Sequence, residues 1–327
     1  MIITRSPLRI TLGGGGTDFP FFFQKFNGNF VSAAIDKHVY VSINEINEKS
    51  YVVRYSNYEK ASTLKEIKHP IVKSVLRKFN IKPGIEITSF ADIKSGTGLG
   101  SSGAFTVALI KAVTIYKNLN YSNQKIAQLA SDIEIKILNE PVGIQDPFIS
   151  SLGSIRYFTI NKKGYVKSND LLKINPVLEN YLEEFYLINS NQVRNASEEL
   201  SKTILSKKKD KKILDNLLEA KTNGISSNKI LSSRENYKEI SRELTKHWKI
   251  KLERSPSLFH KEIDQHINSL LELGCSGAKL IGAGGGGFIL THCPNSKLKD
   301  MKSYLNINKM SFDDFKIDKS GIVSFEL

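Results

Sequence analysis

The stretch Lys94-Ser95-Gly96-Thr97-Gly98-Leu99-Gly100-Ser101-Ser102-Gly103-Ala104 holds the residues best suited to grip an anion. Glycines let a backbone pass through positive φ and come close to a ligand. An apolar helical run from Ala104 to Tyr116 follows. The stretch therefore opens a helix whose first N–H groups have no partner within it and whose dipole end is positive. Such an end binds anions, most simply a phosphate. Ser101 and Ser102 stand where a helix cap or a metal-bound hydroxyl would stand. A serine-capped glycine turn accounts for the same residues without a ligand. No Gly-Lys-Ser/Thr closes the stretch as in a Walker A loop, and it is not the dinucleotide fingerprint.

Two carboxylates could work beside such an anion. Glu134 adjoins the apolar stripe Ile126, Leu129, Ala130, Ile133 and Ile137, and Asp146 lies twelve positions further on among apolar neighbours. Facing one cavity, one could bind a cation and the other handle a proton. Their plainer uses are a surface carboxylate at a stripe's edge and a turn former before Pro147. Near the start, Arg9 stands between Leu8 and Ile10. Gly13 to Gly16 then lead to Thr17 and Asp18, and Asp18 is placed to accept hydrogen bonds from hydroxyls. A surface arginine and a capped tight turn are the alternatives. A second glycine block, Gly284 to Gly287, separates two strand-like runs and suggests a backbone loop pressed against a ligand or another loop.

These residues need strands and helices to hold them. Residues 1–12 alternate like a half-buried strand, and 30–46, 51–56 and 84–91 read as further strands. Residues 70–79 and 104–116 read as helices, the latter apolar on most faces and so buried. A helix from about Ser122 ends before Pro141, and 151–168 read as a hairpin turning near Lys163-Gly164. The composition shifts between Asn169 and Asn180, which divides the chain into units 1–170 and 171–327. In the second unit, 184–190 and 321–326 read as strands. Residues 193–254 are polar and helical, and 257–273 and 297–305 are amphipathic helices.

The chain has 327 residues, enough for two cores, with 40% hydrophobic and 24% charged residues as in soluble globular proteins. Two cysteines, Cys275 and Cys293, give no disulfide framework, and no early apolar run has the length of a signal peptide or a membrane span. The expectation is a cytoplasmic protein without a membrane partner. The net charge of +14 comes from scattered lysines. A lysine-rich proteome accounts for it best; nucleic-acid binding, for which no RNA-recognition aromatic motif is present, and attraction of a polyanionic small substrate are the other readings. Six histidines and two cysteines show no zinc-ligand spacing.

Three stretches together resemble the GHMP kinases (galacto-, homoserine, mevalonate and phosphomevalonate kinases). They are Ser6-Pro7-Leu8-Arg9-Ile10 leading to Gly16-Thr17-Asp18, then Gly98-Leu99-Gly100-Ser101-Ser102, then Lys279 to Gly287. Within that family the pattern is closest to kinases of D-glycero-D-manno-heptose 7-phosphate. The supporting residues are Gly14 to Phe19, Ile133-Glu134-Ile135, Gln145-Asp146, Arg194 to Glu198 and the Trp248 to Lys251 segment. The resemblance implies an α+β architecture, with an N-terminal domain like domain 2 of ribosomal protein S5 and a ferredoxin-like C-terminal domain. It also implies ATP, Mg²⁺ and phosphoryl transfer to the anomeric hydroxyl of a sugar 7-phosphate.

By the same resemblance, Gly96, Gly98, Leu99, Gly100, Ser101, Ser102 and Gly103 wrap the nucleotide phosphates. Ser102 and Glu134 hold Mg²⁺, Asp146 accepts the proton of the attacking hydroxyl or orients it, and Arg9 steadies the transferring phosphoryl group or raises the reactivity of the hydroxyl-bearing centre. Gly15, Gly16, Thr17 and Asp18 bind the sugar, the block with Gly285 and Gly286 backs the substrate or the phosphate loop, and Arg194 and Lys251 meet the substrate's phosphate. Three positions depart from the pattern. Glycines replace the Glu-His pair of galactokinases before Thr17, which argues against galactose. Pro147-Phe148 replaces Gln-Tyr, and Gly103 replaces an alanine, a change expected to be harmless. Another sugar 1-kinase of fucose or galactose type, a non-catalytic sensor on the same scaffold and an RNA-binding protein are the competing functions. The oligomeric state is left open, a homodimer included.

Overall fold

The computed structural model describes residues 1–192, 210–254, 261–282 and 286–326. Its strands in chain order are β1 (Ile2–Gly13), β2 (Gly28–Glu45), β3 (Tyr51–Arg54), β4 (Tyr58–Ala61), β5 (Ile85–Ala91), β6 (Ile155–Ile160), β7 (Val166–Asp170), β8 (Phe185–Asn189), β9 (Gly277–Leu280), β10 (Phe288–His292), β11 (Phe312–Asp313) and β12 (Val323–Glu326). The α-helices are α1 (Pro20–Phe26), α2 (Pro70–Lys78), α3 (Ser101–Tyr116), α4 (Asn123–Asp132), α5 (Gln145–Leu152), α6 (Leu171–Ile174), α7 (Leu178–Leu182), α8 (Lys211–Ser232), α9 (Ile240–Arg254), α10 (Lys261–Glu272) and α11 (Leu298–Ile307).

Eight strands form the first sheet around β2. They run β12-β1-β2-β5-β3-β4, with β6 and β7 added on β2. Strand β2 serves two sets of partners because it is 18 residues long. Its first half pairs β6 and its second half pairs β5, while β1 lies along its other side. Phe30, Val31, Ala33, Ala34 and Ile35 are all buried, so that half of β2 is covered on both faces. Helix α3 packs on β1 and β2, as its apolar sequence requires, and α2, α4 and α5 pack around it.

The second sheet has four antiparallel strands in the order β11-β8-β10-β9. Chain order β8, helices, β9, β10, α11, β11 is a β-α-β-β-α-β arrangement, the ferredoxin-like connection expected. Trp248, Ile263, Ile267, Leu270, Ile289 and Met301 pack in its core. A further cluster joins the units: Leu8, Ile10 and Leu12 of β1 share it with Leu187, Leu290 and Leu244. The boundary read near residue 170 falls between β7 and α6. The chain does not stay in the second unit thereafter, for β12 pairs antiparallel with β1, Ile2 opposite Glu326.

One element differs from the sequence reading. Residues 145–152 are helical, although Asp146-Pro147 reads as a turn. Pro147 falls in the first turn, where the missing N–H would have had no partner within the helix. The polar segment of residues 193–209 and the start of the helix read at 257–273 lie outside the described residues.

Candidate active site

Strand β5 leads through the Gly96–Gly100 turn into α3. Gly100, the residue before the helix, has φ +80° and adds no side-chain cap, so the first-turn N–H groups of Ser101 to Gly103 are left for something else. Gly98, at φ +84°, lies under the second glycine block. A side chain there would come within 2.9 Å of the Ile281 carbonyl. Gly287 likewise lies against the Thr97 backbone. The described part of that block therefore backs the phosphate-loop candidate, and Gly286 lies against the Gln192 backbone. Gly285 and Arg194 fall outside the described residues.

Both carboxylates converge on this helix tip. Ser102 donates its hydroxyl to Glu134 Oε1 at 2.7 Å, and Thr106, one turn on, donates to the same oxygen at 3.1 Å. Glu134 is only 4% exposed, unlike a surface carboxylate. Helix α4 passes into a π-helical turn at Ile133–Ile137, and this wide turn takes Glu134 off the regular helical register. Burial, aided by the nearby charge of Asp146, pushes its carboxyl up to about 7. Asp146 comes from α5. Its Oδ2 lies 3.0 Å from where a Cβ on Gly100 would sit.

Arg9 ties this tip to β1. It grips Asp146 with two hydrogen bonds, Nε to Oδ1 at 2.7 Å and Nη2 to Oδ2 at 3.0 Å, and Nη1 donates to the Gly98 carbonyl. The fork is rigid and 93% of Arg9 is withdrawn from solvent, since the residue is 7% exposed. A cation thus sits between the loop that would carry phosphates and the acid that would meet the acceptor. Each carboxylate oxygen keeps a lone pair for a further donor.

Asp18 approaches from the other side. It is buried and accepts from the backbone N–H of Gly16 at 3.2 Å and of Gln145 at 3.1 Å. Burial raises its carboxyl above the ordinary range, against the effect of these hydrogen bonds. Thr17 has a different place. Its hydroxyl is fully buried, donates to the Gly14 and Asn29 carbonyls and accepts from the Asn29 N–H. It holds the turn that presents Gly15, Gly16 and Asp18. The Gln145 side chain bonds Thr11 and Ser32, locking α5 to β1 and β2.

Helix α9 supplies cations that the sequence reading largely missed. His247, Lys251 and Arg254 share one face at spacings of four and three, a signal visible in the sequence. Lys251 donates Nζ to the Leu280 carbonyl at 3.1 Å and the Gly282 carbonyl at 2.6 Å. Lys279 of β9 is buried, donating to the Thr11 carbonyl at 2.7 Å and lying 2.9 Å from His247 Nδ1. Burial and neighbouring cations depress both lysines and His247, Lys251 to about 7. An unfolded Lys251 would keep its proton up to its ordinary 10.5. Folding stability therefore rises with pH across that window and is lost as pH falls toward 7. Lys251→Met is expected to flatten this rise by one proton's equivalent, read as Tm against pH; an unchanged slope places its origin elsewhere.

The two neighbouring departures from the family pattern touch. A Cβ on Gly103 would lie 2.7 Å from Asp146 Cβ and 2.9 Å from Pro147 Cδ. The close approach of α3 and α5 suits the glycine at 103 and leaves no room for the family's alanine. Gly103→Ala is expected to lower stability by about 1–3 kcal/mol, the usual cost of overpacking, and to lower kcat by shifting Asp146. Thermal melts and steady-state rates check this; wild-type values in both would show that the helices part without cost.

Known proteins resemble this chain in sequence and in fold. The model of the GHMP kinase N-terminal domain matches residues 65–154, and that of the GHMP kinase C-terminal domain matches residues 229–308. D-glycero-alpha-D-manno-heptose 7-phosphate kinase of Campylobacter jejuni is 25% identical over 340 residues, covering 100% of this chain and 99% of its own. Mevalonate kinase of Archaeoglobus fulgidus is 29% identical over 263 residues, covering 79% of this chain and 83% of its own. The crystal structure of a D-glycero-D-manno-heptose 1-phosphate kinase from Bacteroides thetaiotaomicron superposes with a TM-score of 0.80 at 20% identity, over 100% of this chain and 99% of that one. With both domain models matched in order and the relative's whole length spanned, the chain belongs to the GHMP kinase family.

Proposed function

We propose that this kinase transfers the γ-phosphoryl group of ATP to the anomeric hydroxyl of D-glycero-D-manno-heptose 7-phosphate. The observation that carries the reading is the Arg9–Asp146 pair at the uncapped tip of α3. The name of the full-length Campylobacter relative supports the choice of sugar. In this reading the N–H groups of Ser101 to Gly103 hold phosphate oxygens, and Asp146 orients the acceptor hydroxyl and takes its proton. Arg9 lies where it would meet charge developing on the transferring group. Gly15, Gly16 and Asp18 line the sugar side.

The donor set fits Mg²⁺. Ser102 and Glu134 offer one hydroxyl and one carboxylate, and among the described residues no cage of three His, Cys, Asp or Glu competes with them. Magnesium takes few protein oxygens and completes its shell with water and phosphate. When bound, it would neutralise charge on the nucleotide phosphates.

The test is ADP release with Mg²⁺ against a panel of heptose 7-phosphate, heptose, galactose, fucose and mevalonate, with ³¹P NMR of the product. The highest kcat/KM on heptose 7-phosphate and a new anomeric phosphate signal are expected. Faster turnover of another acceptor, or no turnover at all, overturns the reading.

A further inference from the structure

The cations beside Gly15 and Gly16 are not equally engaged. The ammonium groups of Lys251 and Lys279 each donate to backbone carbonyls. The guanidinium of Arg254 is anchored through Nε, which donates to Asn216 Oδ1 at 2.8 Å, and Asn216 is itself oriented by donating Nδ2 to the Ile250 carbonyl at 2.8 Å. Beside Nε on the same edge, Nη2 is out of solvent and has no hydrogen-bond partner among the described residues. Buried donors are rarely left so, because an unmade bond forfeits the desolvation of the group.

The placement of the other terminal nitrogen matters. Nη1 lies directly over Gly16, where any side chain would collide with it. The acid whose charge it feels is Asp18. Both Asp18 oxygens are taken by the N–H groups of Gly16 and Gln145. Contacts therefore run unbroken from Asp146 through Gln145, Asp18 and Gly16 to Arg254. An acceptor laid along them would have its reacting hydroxyl at Asp146 and its opposite end at Arg254. Arg9 is paired with Asp146, whereas Arg254 makes no such carboxylate bond among the described residues, since the oxygens of its neighbouring acid, Asp18, are held by backbone N–H groups. The planar fork of an arginine matches a phosphate.

We propose that Arg254, set by Asn216, receives the phosphate already carried by the acceptor and so makes the enzyme select a phosphorylated over an unphosphorylated sugar. This rests on the reading of the chain as a kinase of a sugar phosphate. The test compares kcat/KM for heptose 7-phosphate and for unphosphorylated heptose in wild type, Arg254→Met and Arg254→Lys, with the KM for ATP and the Tm of each.

Arg254→Met is expected to lose about a hundredfold on the phosphorylated acceptor, mostly in KM, as when charge-assisted bonds to a phosphate are removed. Its loss on plain heptose is expected to be at least about tenfold smaller. Arg254→Lys keeps the charge without the fork, so it should recover part of the preference and serves alone if the methionine variant does not fold. Equal losses on both acceptors, or an unchanged preference, overturn the assignment of Arg254 while leaving the proposed function standing. A wild type that turns over no sugar phosphate overturns both.

Discussion

Asp146→Asn is expected to lower kcat by about a thousandfold, within the range general-base removal produces, with the KM for ATP little changed. Asparagine can still accept a hydrogen bond but cannot take a proton at neutral pH. Its NH₂ group would also face a guanidinium N–H of Arg9, so one of the two bonds now at 2.7 and 3.0 Å is lost. Chemistry and positioning fail together, and a cycle with Arg9→Met separates them. If the pair works as a unit, the double variant should be hardly worse than the worse single one. Single-turnover rates are the measurement. A near-normal rate in Asp146→Asn would remove the proton-accepting role.

Glu134→Gln has the second large expected effect, and it acts in opposite senses on activity and stability. The amide oxygen can still accept from Ser102 and Thr106, which now donate to Glu134 at 2.7 and 3.1 Å. Packing is thus kept while a negative charge is removed from a residue 4% exposed. A buried charge without a cationic partner opposes folding. Among the described residues, no Lys, Arg or His ion pair reaches Glu134. The ligand-free variant is therefore expected to melt a few degrees higher than wild type at pH 8, while kcat/KM falls by at least about a hundredfold and more Mg²⁺ is needed for half-maximal rate. Calorimetry in chelator and a Mg²⁺ titration of the rate check the two halves. A lower Tm with an unchanged Mg²⁺ requirement would mean that Glu134 serves the fold alone.

The helix-tip site was legible because its parts are local. The alternation of β1, the glycines before Ser101 and the apolar run of α3 lie in short windows, and each has one dominant physical reading. The acids were visible as candidates for one cavity, yet the way they meet was not, since nothing in the period of α4 announces the π turn that carries Glu134. Helix α5 escaped because Asp-Pro favours turns, and only the packing of Phe148 and Ile149 into the core decides for a helix. Thr17 was read as a sugar contact from its neighbours in sequence. Its hydroxyl is instead used up by Gly14 and Asn29, a fact of the folded turn. Arg254 and Asn216 lie 38 positions apart, and their meeting depends on how α8 packs against α9. Gly103 looked neutral for the same reason: the neighbour that restricts it, Pro147, comes from another helix.

The antiparallel closure of β12 on β1 bears on how the chain is made. During synthesis, β1, which carries Arg9, emerges well before β12, which pairs with its residues 2–5. Until β12 is made, that rim offers bare amides to any extended peptide nearby. Substituting prolines into residues 323–326 should loosen the strand that carries Arg9 before it disturbs the distant four-stranded sheet.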